Sequence, residues 1–343
     1  MKLVEVEPDA WDPLLEGLSC PDAFYRRAYV EASCRLDNSR PVFLHAPEAD
    51  VVFPLTIRDV PGAERLCDAK TQYGYGGPVA RDRATLDVEA FWAAYERWCT
   101  ESRVVSTFVR FHPLLENQRL AARSAHCEQL GPTFSWLLGG EGNLLESLHG
   151  NPRRTARKAA EDVSVSVEAE PESLDEFAAL YAATMRGHGA DSFYFFPDEF
   201  WTALAKTVRP YLARFDGVVG GDVVASVLCL GAPPWLHYYL GGALPAGRSL
   251  GATSLLLVEA ARWGRAHGFE QLHLGGGVGG RMDSLWRFKR RFAPEGAREA
   301  WIAKLVHDRE AYIDLTGGDE IHLSGFFPAY RRVPTANVAP TAR

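Results

Sequence analysis

The feature that most constrains this chain is an order of segments that occurs twice. Tyr75-Gly-Gly precedes a run with helical apolar spacing and then Phe108-Val-Arg110, and Leu240-Gly-Gly precedes a second such run and then Leu272-His-Leu274. The corresponding separations are nearly equal. Self-similarity of this kind points to a duplicated α/β unit rather than two unrelated domains. A length of 343 residues suits two such units. The spacing places the join between about Leu114 and Gly131, with a first unit over 1–125 and a second over 126–330. Residues 331–343 lack apolar periodicity and read as a mobile tail.

The predicted elements are those of an α/β (α+β) protein, each unit a mixed sheet flanked by helices. In the first unit, residues 8–40 read as helical, with Asp12-Pro13 and Pro21-Asp22 near helix starts. Two β-rich runs follow, Pro41–His45 and Val51–Ile57, and Pro54 assigns the second an edge or irregular position. After a glycine and tyrosine loop come an amphipathic helix at about 86–101 and a strand over Val104–Phe111. The second unit opens with a strand at Phe134–Leu138 and a short helix at Asn143–Leu148. In the helix beginning Asn151-Pro-Arg-Arg-Thr-Ala-Arg-Lys158, Asn151 reads as the cap and Pro152 as first turn. Helices near 173–186 and 197–207 precede three hairpin-linked strands, Tyr211–Asp216, Asp222–Leu230 and Trp235–Leu240. Gly247-Arg-Ser-Leu-Gly-Ala-Thr253 then opens a helix to about Ala266.

Composition narrows the function classes. Apolar residues make up 47% and charged residues 24%, which supports an ample core. No run is long and apolar enough to span a bilayer, and Glu5, Glu7 and Asp9 at the start exclude a signal peptide. Six scattered cysteines form no CxxC pair, which predicts free thiols in the reducing cytoplasm. A net charge of −7 argues against general coating of nucleic acid but leaves room for a local basic patch. His112, His149, His188 and His273 read as isolated. No metal spacing links them, and no Ser-His-Asp order is visible.

Two loops carry the candidate chemistry. In Leu274-Gly-Gly-Gly-Val-Gly-Gly-Arg-Met-Asp-Ser-Leu-Trp-Arg-Phe-Lys-Arg-Arg291, five glycines lie within six residues at a strand end, followed by Asp283 and a basic, aromatic segment. Glycines let the backbone approach a ligand, and Lys289 beside Phe288 suits a developing oxyanion. The same residues also describe an ordinary strand-to-helix loop with a solvated basic helix. At Gly247–Thr253, backbone N–H groups at a helix start suit a phosphate.

Three strands, this loop, a helix and another strand resemble the core of the GNAT N-acetyltransferase superfamily. There the loop reads Arg/Gln-x-x-Gly-x-Gly/Ala and holds the coenzyme A pyrophosphate. Arg248, Gly251 and Thr253 occupy those positions, Thr253 departing from the small final residue. Over most of the chain the pattern is similar to the FemABX-like family of two tandem GNAT-like units. The pieces that carry this resemblance are Asn151–Ala160, the glycine stretch with Asp283, Leu285, Phe288 and Lys289, and Phe326-Phe-Pro-Ala-Tyr-Arg331.

The resemblance implies a transferase that moves an amino acid from aminoacyl-tRNA to an amine of a peptidoglycan precursor or an antibiotic-type peptide. No cofactor is implied beyond that co-substrate. Lys289, Phe288 and Asp283 would be catalytic, the ammonium stabilising charge that grows on the ester oxygen. Donor contacts would come from Arg248, Gly251, Thr253, Arg153, Arg154, Arg157, Lys158, Arg290 and Arg291, with Arg287 beside them and Trp286 or Phe288 available to stack on an unpaired base. Tyr73, Tyr75, Gly76, Gly77, Asp82, Tyr238 and Tyr239 would face the acceptor. Where the bridge-forming members place an Asp after Gly-Pro and two intervening residues, this chain has Arg81, with Asp82 next. Two other readings stay open on the same fold: an acyltransferase that uses acetyl-CoA or another acyl-CoA on a small amine, and a non-catalytic binding protein. The latter would bury Lys289 or turn it away from any cleft.

Overall fold

The computed structural model describes residues 1–332 except Ser19, Pro21, Glu141 and His149. Pro21, His149 and the tail from Val333 onward, all singled out in the sequence, lie outside the described residues. The first half runs β1 (Val4–Glu5), α1 (Pro8–Gly17), α2 (Arg27–Ser33), β2 (Arg40–Ala46), β3 (Val51–Val60), β4 (Ala63–Lys70), β5 (Val79–Ala80), α3 (Val88–Glu101) and β6 (Val104–Arg110). Asp87 caps α3 by accepting from the Ala90 N–H at 3.0 Å, and Phe91, Trp92, Tyr95, Trp98 and Cys99 form its buried face. The second half runs β7 (His126–Leu137), α4 (Leu144–Ser147), α5 (Asn151–Asp162), β8 (Ser164–Ala169), α6 (Asp175–Gly187), α7 (Asp198–Ala203), β9 (Leu212–Val219), β10 (Asp222–Ala232) and β11 (Trp235–Ala243). It continues through α8 (Pro245–Leu250), α9 (Ala252–Ala266), β12 (Gln271–Gly275), α10 (Ser284–Arg290), β13 (Ala297–Val306) and α11 (Arg309–Thr316).

The repeated order seen in the sequence is a repeated connection in space. β4 and β6 pair in parallel across α3, and β11 and β12 pair in parallel across α8 and α9. A parallel pair needs a crossover of this kind, and a helix is its usual form. Among the described residues all thirteen strands join one sheet, in the order β1-β2-β3-β4-β6-β13-β7-β12-β11-β10-β9-β8, with β5 on β3.

The division at 125/126 needs one amendment. β13, from the end of the chain, lies between β6 of the first half and β7 of the second and pairs antiparallel with both. The C-terminal segment also returns to the first half: Tyr330 shares a 2.9 Å hydrogen bond with Ser106, and Arg331 pairs with Asp68. Pro54 is likewise not on an edge. It stands opposite Phe43 of β2, and on its other side β4 pairs only from Thr56 and β5 only with Val51 and Val52. Its missing N–H falls in that gap, where no ladder bond is lost.

Apolar residues form three clusters. One lies under α9, one under α3, and the third draws Trp11, Phe24 and Tyr29 together with Phe177, Tyr181 and Trp201. The third therefore cements the two halves. No helix among the described residues is long and apolar enough to cross a membrane.

Candidate active site

β12 ends at Gly275, whose φ of +73° is available to glycine without steric cost. The chain then turns through Val278–Gly280 into α10, which Asp283 caps: its Oδ1 accepts from the Trp286 N–H at 2.8 Å and its Oδ2 from the Val278 N–H at 3.0 Å. Burial works to raise the Asp283 carboxyl, but the backbone N–H groups of Trp286 and Val278 outweigh it and hold the group below its usual value. Asp283 therefore orients the loop and the helix.

The helix turns Lys289 inward. Its Nζ donates to Gly276 O at 2.9 Å and stands 5.3 Å from the centre of the Tyr238 ring. Lys289 is 8% exposed, so it is covered rather than open to solvent. Burial pulls its ammonium down to about 7; Asp283 pulls the other way and Arg110 adds to the fall. Lys304, also buried, shows what a structural lysine has here: Glu128 at 2.6 Å and the carbonyls of Leu323 and Gly325. Lys289 has one carbonyl and an aromatic face. Phe288 packs against Phe292 and the core under α9. Trp286 donates to Pro132 O at 2.9 Å and packs on Phe134, so it is tied down rather than free to stack on a base.

The first half meets this lysine through Tyr75. A Cβ on Gly275 would lie 3.3 Å from Lys289 Nζ and 3.6 Å from the Tyr75 hydroxyl, so one small gap separates the two polar ends. Gly76 and Gly77 hold Tyr75 in place: the Gly76 N–H donates to Arg110 O, and Asn117 Nδ2 donates to Gly76 O at 2.9 Å. The Tyr73 carbonyl accepts from the Tyr29 hydroxyl at 2.7 Å, which in turn lies 3.0 Å from the Tyr239 hydroxyl. Tyr238 and Tyr239 consequently face opposite sides of β11, only Tyr238 toward Lys289. Asp82 does not join them. It is exposed and accepts from the Ala84 N–H and the Thr85 hydroxyl of its own turn.

Sequence reasoning missed Arg110. Its guanidinium stands 5.4 Å from the centre of the Tyr75 ring, and its charge acts on Tyr73, Tyr194 and Lys289. As the last residue of β6, in the Phe108-Val-Arg110 half of the repeat, it was marked only by position.

Sequence reasoning also separated histidines that the fold joins. Asp22 Oδ2 lies 2.7 Å from His237 Nε2 and 3.0 Å from His112 Nε2, and His237 Nδ1 lies 3.0 Å from His273 Nδ1. His273 Nε2 reaches Thr133 Oγ1 at 3.0 Å. All five are buried beneath Tyr75, whose ring centre is 5.3 Å from that of His273. Burial would raise the Asp22 carboxyl, but the facing histidines outweigh it and hold the group well below the usual range. Burial pushes His112 and His273 down, so both are neutral.

Asp22, His112 and His237 offer ligand-type atoms within 4.8 Å of one another. A metal fits them poorly. His112 Nδ1 accepts from the N–H groups of Leu114 and Leu115, both at 3.2 Å, so its proton belongs on Nε2, where the metal would bind. Asp22, His237, His273 and Thr133 form a hydrogen-bonded pin between the halves, with His112 Nε2 beside Asp22 but without a hydrogen bond of its own among the described residues.

The start of α5 adjoins the segment after α10, while the basic residues of α5 line a groove of their own. Asn151 and Pro152 at the start of α5 and Arg291 and Phe292 after α10 line one groove of about 310 Å³. Arg153, Arg154, Arg157 and Lys158 line a second groove along α5. Arg153 and Arg157 both pair with Glu146, whereas Arg154 reaches only Asn151 among the described residues, at 3.1 Å. Arg290 is exposed and stands 5.5 Å from the Trp286 ring centre. Arg248 turns back to donate to Ala243 O at 2.6 Å. A Cβ on Gly251 would lie 2.2 Å from Thr155 Cγ2, so α5 packs directly on the turn that opens α9, with Thr253 two residues on and half-buried.

The family described as acetyltransferase (GNAT) domain matches residues 147–290. No curated protein matches the sequence. Among solved structures, FemX shares 13% identity and covers 92% of this chain and 99% of its own, with a TM-score of 0.64. L-PGS from Bacillus licheniformis shares 14%, covers 90% and 94%, and has a TM-score of 0.54. A tandem GNAT protein from the clavulanic acid biosynthesis pathway shares 10%, covers 89% and 98%, and also has a TM-score of 0.54. With its two parallel crossovers in one sheet, this chain has the tandem GNAT fold of the FemX-like proteins, and its second unit carries the acetyltransferase (GNAT) domain match.

Proposed function

We propose that this protein is an aminoacyltransferase that moves an amino acid from aminoacyl-tRNA to the amine of a peptide acceptor, forming a peptide bond. The acceptor would be a peptidoglycan precursor or an antibiotic-type peptide. The observation that carries the reading is Lys289, buried with a single carbonyl partner among the described residues and an ammonium brought down to about 7. In the reaction a bond forms between the acceptor nitrogen and the ester carbon, the ester C–O bond breaks, and a proton passes from nitrogen to the leaving ribose oxygen. A lysine near 7 populates both protonation states at neutral pH. Its neutral form takes the proton, and its charged form stabilises the oxyanion and returns the proton to the leaving oxygen.

Burial alone would also suit the non-catalytic reading. The contrast with Lys304, which has a carboxylate and two carbonyls, favours chemistry at Lys289 instead. The row of Arg153, Arg154, Arg157 and Lys158 along α5, with Arg291 beside the start of that helix, supports tRNA as the donor. The packing of Thr155 on Gly251 disfavours a coenzyme A pyrophosphate at that turn.

The test is a donor-consumption assay with charged tRNA or acetyl-CoA and a panel of peptide amines. Transfer from charged tRNA alone is expected. Transfer from acetyl-CoA alone would replace this reading with the acyl-CoA one, and transfer from neither would favour a binding protein.

A further inference from the structure

We propose that Arg110 is an anion-binding residue, and that the ligand entering beside Lys289 carries a carboxylate or phosphate near its reacting amine. The inference relies on the aminoacyltransferase reading only in calling that ligand the acceptor.

Arg110 is half-buried at the end of β6, with its guanidinium on the Tyr75 ring. Among the described residues no carboxylate lies within ion-pair distance of it. Three other part-buried arginines of this chain have such partners: Arg58 pairs with Asp37 and Asp68, Arg214 with Glu168 and Asp216, and Arg331 with Asp68; Arg83, Arg265 and Arg298 share the lack of one, but Arg110 alone of these four acts on Lys289. The two acids whose charge reaches the neighbouring Tyr194, Asp191 and Asp283, are both occupied in capping turns. The site therefore holds two basic side chains, Arg110 and Lys289, without a free counter-charge.

A part-buried charge with no partner is costly, and the cost is removed when a ligand supplies the anion. The planar fork of arginine matches a carboxylate or phosphate through two parallel hydrogen bonds. Its approach to Tyr75 sets that fork next to the hydroxyl that shares the gap at Gly275 with Lys289. Neutralising Arg110 would also remove one of the influences that hold the Lys289 ammonium down, so the anion and the lysine's proton are coupled.

The experiment measures binding without any donor, so it reads out whether or not transfer occurs. Glycylglycine is compared with glycylglycinamide, and phosphoethanolamine with ethanolamine, by calorimetric titration of wild type, Arg110→Gln and Arg110→Lys. In at least one pair the anionic member is expected to bind wild type about tenfold or more tightly than its neutral counterpart. Whichever pair discriminates tells carboxylate from phosphate. Arg110→Gln should abolish the preference and Arg110→Lys retain part of it, with thermal midpoints close to wild type. If Arg110→Gln does not fold, the preference in Arg110→Lys decides, and an undiminished preference there overturns the proposal. It is equally overturned if neither pair discriminates in wild type, or if the preference survives in Arg110→Gln. Failure of transfer from every donor with this preference intact would sink the transferase reading and leave the anion site standing.

Discussion

Gly275 and Lys289 fit each other at contact distance: a Cβ on the glycine would stand 3.3 Å from the lysine Nζ, and the glycine φ is +73°. Gly275→Ala therefore combines left-handed strain of about 1–2 kcal/mol with displacement of the ammonium. We expect a lower thermal midpoint and a fall in turnover larger than the loss of folded protein explains. Single-turnover transfer normalised to folded protein checks this, and normal turnover would show that Lys289 has slack.

Lys289→Met is expected to cut turnover by about a hundredfold to a thousandfold while leaving donor affinity nearly unchanged. Lys289→Arg should restore little, because the guanidinium is planar and longer. The same Met variant should be at least as stable as wild type. The unfolded lysine holds its proton up to about pH 10.4 and the folded one only to about 7. The unfolded state thus binds more protons between those values, and wild type loses stability as pH falls from the upper to the lower. The gap between the denaturant midpoints of the two proteins should narrow from pH 7 to 10, wild type gaining relative to the variant as pH rises. Parallel profiles would contradict the depressed lysine.

The buried pin should make stability acid-sensitive. Folded His112 and His273 refuse protons that their unfolded forms accept below about pH 6.5. Stability is therefore full above that pH and declines as pH falls below it. Asp22→Asn places an amide against His237 and His112 and is expected to cost on the order of 3 kcal/mol. Urea midpoints of both proteins between pH 8 and 5 test the two statements.

The ion pairs along α5 sort its basic residues. Arg153 and Arg157 share Glu146, leaving Arg154 and Lys158 freer to meet phosphate. We expect Arg154→Ala and Lys158→Ala each to weaken tRNA binding and to lower the slope of log affinity against log salt by about 0.7–0.9. Arg153→Ala and Arg157→Ala should change that slope less. Filter binding across a salt series separates the cases, and equal slopes for all four would remove α5 from the tRNA surface.

Local pattern settled a good deal. The apolar spacing of α3, the Pro and Gly punctuation around β9, β10 and β11, and the repeated Gly-Gly, helix and strand order are all properties of neighbouring residues. They suffice for two α/β crossovers and for a glycine loop that delivers Lys289. The tertiary structure alone decided what depends on distant partners. β13 inserts between the halves because both β6 and β7 offer it a free edge, and Pro54 is tolerated inside a sheet because two other strands stop short of it. Asp22 meets His237 and His112 from separate elements, so no spacing could have joined them. Asp283 became a cap and Trp286 a tether once the backbone N–H groups and the Pro132 carbonyl were in place. Arg110 acquires its meaning only from the lack of a counter-charge among the described residues, and that is a fact about the side chains around it, not about its own place in the chain.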